Sequence, residues 1–197
     1  MSQKNKHMIV VNFFAGPGTG KSTHAAMLFA KLKTMNINSE LIQEYAKDKT
    51  WIRDSKTLEV QPYIAGKQFY RQARLRHDVD VAVTDSPLLM GMAYSGYGIT
   101  DNFNAWLLDA FKMFSNINIL LVRNTKHHKF NPAGRWQDET AAIEKDAEIK
   151  AILDKFKIPY STVEVNENSH NEVFNIVIDD LKFRAPHLFQ TEEDLVK

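Results

Sequence analysis

The residues with the clearest chemistry lie in one short segment, Ala-Gly-Pro-Gly-Thr-Gly-Lys-Ser-Thr at positions 15–23. Its last positions, Gly20, Lys21 and Ser22, match the end of the phosphate-binding pattern G-x-x-x-x-G-K-[ST]. An apolar run at 8–14 precedes the segment, and a helical pattern follows it. Glycines let backbone N–H groups surround an anion, and the positive end of the following helix attracts the same phosphates. The segment therefore predicts a site for a nucleoside triphosphate.

The positions of this loop have distinct expected roles. Lys21 is expected to reach the β- and γ-phosphates, and the Ser22 hydroxyl is expected to hold Mg²⁺. Ala15 stands where the strict pattern has its first glycine, and alanine is small enough for the turn to form. ATP and Mg²⁺ are the predicted substrate and cofactor. The residues predicted to bind the nucleotide are Ala15, Gly16, Pro17, Gly18, Thr19, Gly20, Lys21, Ser22 and Thr23.

The composition predicts one compact domain. The chain has 197 residues, 44% of them hydrophobic and 25% charged, which is typical of a soluble globular protein. We expect a single domain at 1–184 and a C-terminal tail at 185–197. A net charge of +1 restricts any nucleic-acid site to a local patch. The lack of cysteine excludes disulfides and thiolate zinc sites. We expect a cytoplasmic protein with no membrane partner, and the sequence does not indicate an oligomeric state.

Short apolar segments alternate with helical patterns along the chain. The predicted strands lie at 7–15, 39–43, 79–84, 118–123 and 161–165. The predicted helices lie at 21–35, 65–77, 101–114, 138–156 and 170–183. This alternation predicts the α/β class: a P-loop NTPase fold with a five-stranded, mainly parallel sheet, helices on both faces and a short basic lid. In such folds ligands bind at the carboxyl ends of the strands.

Charged residues follow three of the predicted strands. Glu44 follows the second strand, Asp85 the third and Arg123 the fourth. Phosphoryl transfer needs a carboxylate to anchor Mg²⁺ and gains from one that deprotonates the acceptor hydroxyl. We assign Asp85 to the metal, together with Ser22, and Glu44 to the acceptor, although the two carboxylates could exchange roles. The alternatives are a helix N-cap for Asp85 and a solvated strand end for Glu44.

A polar, basic segment at 126–137 joins the fourth strand to a long predicted helix. Such a segment is typical of a lid that closes over the triphosphate and brings cations to the transferring group. Arg135 is the predicted catalytic cation of this lid, and Arg123 is predicted to bind the nucleotide; Lys126 and Lys129 are weaker candidates. A solvated surface loop is the alternative. The predicted catalytic residues are therefore Lys21, Glu44, Asp85 and Arg135.

The residues that bind the acceptor are predicted in the segment of the sequence between the second and third strands. Aromatic and amide side chains there could stack on a base and read its edge, although a place in the core is the more common role for such aromatics. These side chains are Trp51, Tyr63, Gln68, Phe69 and Tyr70. Lys67, Arg71 and Arg74 share one helix face, which indicates either a solvated surface or a stripe that binds backbone phosphates.

From about residue 8 to residue 165 the chain resembles the small P-loop kinases. The loop at 15–23, Glu44-Tyr-Ala-Lys, Asp85-Ser-Pro and Gly134-Arg135 with Asp146 resemble the nicotinamide riboside kinase-like group. They also resemble bacteriophage kinases, near thymidylate kinase, that phosphorylate 5-hydroxymethyluracil in DNA. The resemblance implies an ATP-dependent kinase whose first candidate acceptor is DNA containing this modified pyrimidine, in a host cytoplasm. A free nucleoside, nucleotide or nicotinamide riboside is the second candidate.

Two departures from known motifs narrow the choice of acceptor and of protein class. Thymidylate and deoxynucleoside kinases carry Asp-Arg or Glu-Arg-Ser where this chain has Asp85-Ser86, so the missing arginine argues against a monophosphate acceptor. A GTPase would need Asn-Lys-x-Asp after the fourth strand, and Asn124-Thr-Lys-His lacks that aspartate. A non-catalytic nucleotide-binding module or a switch ATPase is the alternative from another class, but two rim carboxylates and a basic lid favour a kinase.

Overall fold

The computed structural model describes residues 8–94, 96–124 and 139–190. Strands and helices alternate through these ranges. The strands are β1 (Ile9–Phe14), β2 (Ser39–Ile42), β3 (Val81–Thr84), β4 (Ser115–Val122) and β5 (Ser161–Glu164). The helices are α1 (Lys21–Thr34), α2 (Tyr45–Trp51), α3 (Ser55–Glu59), α4 (Gln61–Ala73), α5 (Asp101–Lys112), α6 (Glu139–Lys155) and α7 (Ser169–Arg184). Two short 3₁₀ helices span Leu88–Ala93 and Pro186–Phe189.

The five strands form one parallel sheet in the order β2-β3-β1-β4-β5. Ile42 pairs with Thr84 and Asn12 also pairs with Thr84, so β1, β2 and β3 end at the same edge. This arrangement confirms the predicted α/β P-loop fold, with a sheet that is entirely parallel within the described residues. The order places β1, and the loop that follows it, at the centre of the edge where ligands bind.

Helices cover both faces of the sheet, as predicted. Side chains of a strand alternate between the two faces. Val11 and Phe13 are buried in one core cluster with residues of α1 and α7. Phe14 is buried in a second cluster with Leu107 of α5 and Ile149 of α6. Burial of β1 on both faces fixes the point at which the chain leaves the sheet and turns into α1.

Some element boundaries differ from those predicted. β4 begins at Ser115 rather than at 118, because Asn116 and Asn118 interrupt its apolar pattern. Both accept from Asn12 Nδ2 of β1, Asn116 Oδ1 at 2.9 Å and Asn118 Oδ1 at 3.1 Å. The helices α2 and α3 were not predicted, and α4 begins at Gln61 rather than at 65. In the segment predicted as a tail, Pro186–Phe189 forms a 3₁₀ helix that packs against the core. Among the described residues no helix combines the length and apolar composition needed to cross a bilayer.

Candidate active site

The loop between β1 and α1 has the shape of a phosphate cradle. Gly18 and Gly20 have φ angles of +80° and +99°, in the left-handed region that favours glycine. Lys21 Nζ donates to Ala15 O at 2.8 Å and to Gly16 O at 3.0 Å. The lysine ammonium therefore lies across the loop, where phosphate oxygens could replace the two carbonyl oxygens.

Ser22 and Asp85 meet beside this loop. Ser22 Oγ donates to Asp85 Oδ2, and Asp85 is 6% exposed. Asp85 Oδ1 is buried and has no hydrogen-bond partner among the described residues. The N-cap alternative for Asp85 is not supported, because the 3₁₀ helix at Leu88–Ala93 has no side-chain cap. A hydroxyl and a carboxylate with one unused oxygen fit Mg²⁺, which takes oxygen ligands.

Glu44 follows β2 and lines the same cleft as the loop. Burial raises the pKa of its carboxyl, the Lys21 ammonium partly opposes that rise, and Asp85 adds to it. Burial also lowers the pKa of Lys21, against the effect of Glu44 and Asp85. The two rim carboxylates and the lysine thus form one electrostatic cluster at neighbouring strand ends.

A cleft of about 910 Å³ extends from the phosphate loop to α2, α3, α4, α6 and the 3₁₀ helix after β3. Of the five residues predicted to contact the acceptor, Trp51 and Gln68 line it. Gln68 Oε1 accepts from Tyr45 N at 3.0 Å, whereas its Nε2 is buried without a partner among the described residues. Trp51 is 63% exposed, so much of its side chain is accessible to a ligand.

The other three predicted acceptor residues do not line the cleft. Phe69 packs edge-on against Trp106 and Phe114 in the core. Tyr63 packs edge-on against Tyr45 with ring centroids 5.9 Å apart, and Tyr70 is exposed. These aromatics contribute to packing and surface rather than to the cleft wall.

The predicted basic stripe on α4 is only partly available to a ligand. Arg71 donates to Asp48 Oδ2 at 2.5 Å and to Gln43 O at 3.0 Å, so α2 holds its guanidinium. Lys67 lies over the Tyr63 ring at 5.4 Å, and Arg74 is exposed. Two of the three cations therefore remain accessible on this face.

Arg123 lies behind the phosphate loop. It donates to Pro17 O at 2.7 Å, to Thr19 Oγ1 at 2.8 Å and, through Nε, to Asp146 Oδ2 at 2.8 Å. Asp146 Oδ1 in turn accepts from Gly16 N at 2.5 Å. The sequence named Asp146 only through the family resemblance and did not predict its pairing with Arg123, because an ion pair between a strand end and a later helix leaves no local pattern.

Several residues that line the cleft were not predicted as site residues. Tyr94, Lys145, Glu148 and Lys47 line it as well. Burial raises the pKa of the Tyr94 hydroxyl, and Glu44 and Glu148 add to the effect. Arg135 and the rest of the predicted lid, including Lys126 and Lys129, lie outside the described residues.

Comparisons with known proteins agree with this architecture. A family model described as AAA domain matches residues 10–172. A thymidylate kinase from Ehrlichia chaffeensis is similar in structure, with a TM-score of 0.59 and 17% identity over 89% of this chain and 99% of that chain. A thymidylate kinase from Candida albicans has a TM-score of 0.54 and 15% identity over 93% and 94%. These identities show a shared fold alone. Curated protein sequences give no match.

Proposed function

The chain belongs to the AAA domain family, and we propose that it is a kinase that transfers the γ-phosphoryl group of ATP to a hydroxyl of a nucleoside-type acceptor. One observation carries this proposal: the phosphate loop, Ser22 and Glu44 line a single cleft that continues well beyond the loop, and Asp85 contacts Ser22 beside it. A protein that only bound nucleotide would not need a further carboxylate, Glu44, in a cleft that also extends to α2, α3 and α4.

The phosphate loop and its neighbours would bind and orient the triphosphate. Lys21 exchanges its hydrogen bonds to Ala15 O and Gly16 O for bonds to the β- and γ-phosphates. Ser22 and Asp85 would hold Mg²⁺, which when bound offsets the negative charge of the phosphates. Arg135, placed by the sequence on the lid, would add a cation at the transferring group.

Glu44 is the proposed general base. The acceptor oxygen attacks the γ-phosphorus, the bond from that phosphorus to the ADP oxygen breaks, and Glu44 takes the hydroxyl proton. Burial supports this role because it raises the pKa of the carboxyl towards neutral pH, where a base is more effective.

The acceptor that we propose first is 5-hydroxymethyluracil carried in DNA. The Nε2 of Gln68, which has no partner among the described residues, could donate a hydrogen bond to a ring carbonyl oxygen of the pyrimidine, and Trp51 could stack on a base. Among the described residues that line the cleft there is no arginine, although Lys47 and Lys145 line it. The lack of a guanidinium that could bind a phosphate through two hydrogen bonds favours a nucleoside-type acceptor over a nucleoside monophosphate. A base in a duplex would have to be extruded to enter.

A free nucleoside, with nicotinamide riboside included, is the second candidate. The pairing of Arg71 with Asp48 favours it, because it removes one cation from the surface that would bind DNA phosphates.

A transfer assay with γ-labelled ATP tests the function and the acceptor together. The acceptors are DNA with and without 5-hydroxymethyluracil, free nucleosides and mononucleotides, and Lys21→Ala is the negative control. We expect label in the modified DNA only. Label in a nucleoside but not in DNA would select the second candidate. Binding of ATP without transfer to any hydroxyl would favour a non-catalytic module.

A further inference from the structure

An ion pair contacts the phosphate loop near the end of β4, which lies on the other side of β1 from β2 and Glu44. Arg123 Nε donates to Asp146 Oδ2 at 2.8 Å, and their side chains are 8% and 23% exposed. Arg123 bonds to two loop residues, Pro17 O at 2.7 Å and Thr19 Oγ1 at 2.8 Å. Asp146 Oδ1 accepts from Gly16 N at 2.5 Å. These contacts join the end of β4, the middle of α6 and three loop residues.

The helix α6 approaches the loop so closely that only glycine fits at position 16. A Cβ on Gly16 would lie 2.5 Å from Ala142 O and 2.7 Å from Asp146 Oδ1. In the sequence α6 begins directly after the predicted lid. The loop and the helix that follows the lid are therefore in direct contact.

We propose that Arg123 and Asp146 are positioning residues that hold the phosphate loop in its triphosphate-binding shape and couple it to α6. Asp146 fixes the N–H of Gly16, while Arg123 fixes Pro17 and Thr19 and neutralises the carboxylate. The inference rests on the proposed binding of ATP but not on the identity of the acceptor. It gives Arg123 a role different from the direct nucleotide contact predicted from the sequence.

Two physical consequences separate this role from direct phosphate binding. An asparagine at 146 keeps an oxygen that can accept from Gly16 N, whereas an alanine loses it. Without Arg123 the Asp146 carboxylate is unpaired beside an anion site, so neutralising that carboxylate should restore binding. If Arg123 instead bound phosphate directly, Asp146→Ala and Asp146→Asn would free its guanidinium equally and would change MgATP affinity equally. A change at 146 would then not compensate for the loss of Arg123.

The test measures MgATP affinity by calorimetry in the full chain. We expect Asp146→Ala to weaken binding about tenfold or more. Asp146→Asn should weaken it less than Asp146→Ala, because its Oδ1 still accepts from Gly16 N although its Nδ2 cannot accept from Arg123 Nε. Arg123→Gln should also weaken binding, and Arg123→Gln/Asp146→Asn should recover at least about threefold. Lys150→Gln and Asp154→Asn, an exposed ion pair on the same helix, are the controls.

Equal affinities of Asp146→Ala and Asp146→Asn, or no recovery in the double variant, overturn the inference alone. A parent protein that does not bind MgATP overturns the proposed function and this inference with it. If circular dichroism shows that Asp146→Ala does not fold, the inference is tested by comparing the MgATP affinity of Arg123→Gln with that of the double variant.

Discussion

Ser22, at the start of α1, donates a hydrogen bond to Asp85, which directly follows β3. Since β1 and β3 are paired in parallel, their ends emerge at the same edge, and the contact ties the phosphate loop to the adjacent strand. The second oxygen of Asp85 is buried and has no partner among the residues that the structure describes. We therefore expect the pair to exchange this internal hydrogen bond for a shared cation.

Asp85→Asn should therefore raise the Mg²⁺ concentration needed for half-maximal activity about tenfold or more, because a charged oxygen ligand is lost. Initial rates at fixed ATP and varied Mg²⁺ measure this. Asp78→Asn, an exposed aspartate shortly before β3, is the matched control. An unchanged Mg²⁺ dependence in Asp85→Asn would remove this residue from the proposed metal site.

Lys21→Ala should leave the fold intact and reduce turnover at least about 10²-fold, since the lost ammonium contacts charge that develops in transfer. Circular dichroism checks the fold, and labelled ATP measures turnover. Lys33→Ala removes an exposed lysine from the same helix and should change neither. Turnover within twofold of the parent would reject the assignment of Lys21.

The strand ends could be predicted from the sequence because each is marked by a local change from apolar to charged residues. Asp85 follows β3 directly and Glu44 follows β2 after one residue, and parallel pairing alone brings them to one edge. The α2 and α3 helices could not be predicted in this way. They are short, none of their residues is fully buried, and so they lack the apolar periodicity that identifies a helix.

Pairings distant in sequence were also beyond prediction. The bond between Arg123 and Asp146 depends on the register of α6 against the loop, which packing sets. The start of α4 did carry a signal, because Pro62 stands in its first turn, a position that proline favours. Arg71 binds Asp48, which lies on α2. Because α2 was not predicted, the sequence could not show that Arg71 is withdrawn from the basic stripe.

Two glycine substitutions test the packing of α6 on the loop. Gly16→Ala places a Cβ 2.5 Å from Ala142 O, which cannot move without shifting α6, so we expect a lower Tm and loss of ATP binding. Gly66→Ala is the control, because a Cβ there has no neighbour within 4 Å. Within α4 it should stabilise the protein by about 0.5–1 kcal/mol. Thermal melts without and with MgATP measure the Tm and the binding of ATP for each variant. Equal melting temperatures for the two variants would contradict the close packing.

The pH dependence of transfer tests Glu44. Its pKa is raised by burial, and a base must be ionised to accept a proton. The single-turnover rate should therefore rise with pH, along a limb displaced above the ordinary glutamate range of about 4.3. Glu44→Gln should remove this limb and slow transfer about 10²-fold or more while ATP still binds. Glu40→Gln, exposed on β2, should keep the parent profile. A Glu44→Gln variant with the same limb would place the base elsewhere.

The salt dependence of DNA binding tests the acceptor. If DNA lies along α4, Lys67 and Arg74 release counterions from its phosphates, whereas Arg71 contributes less because Asp48 holds it. Replacing Lys67 and Arg74 by glutamine should flatten the slope of log affinity against log salt by about two units. Lys182→Gln, on α7 and remote from this face, should leave the slope unchanged. Transfer to a free nucleoside should not respond to the α4 changes, because a nucleoside offers no phosphate chain. An unchanged slope combined with transfer to nucleosides would reject DNA as the acceptor and retain the kinase.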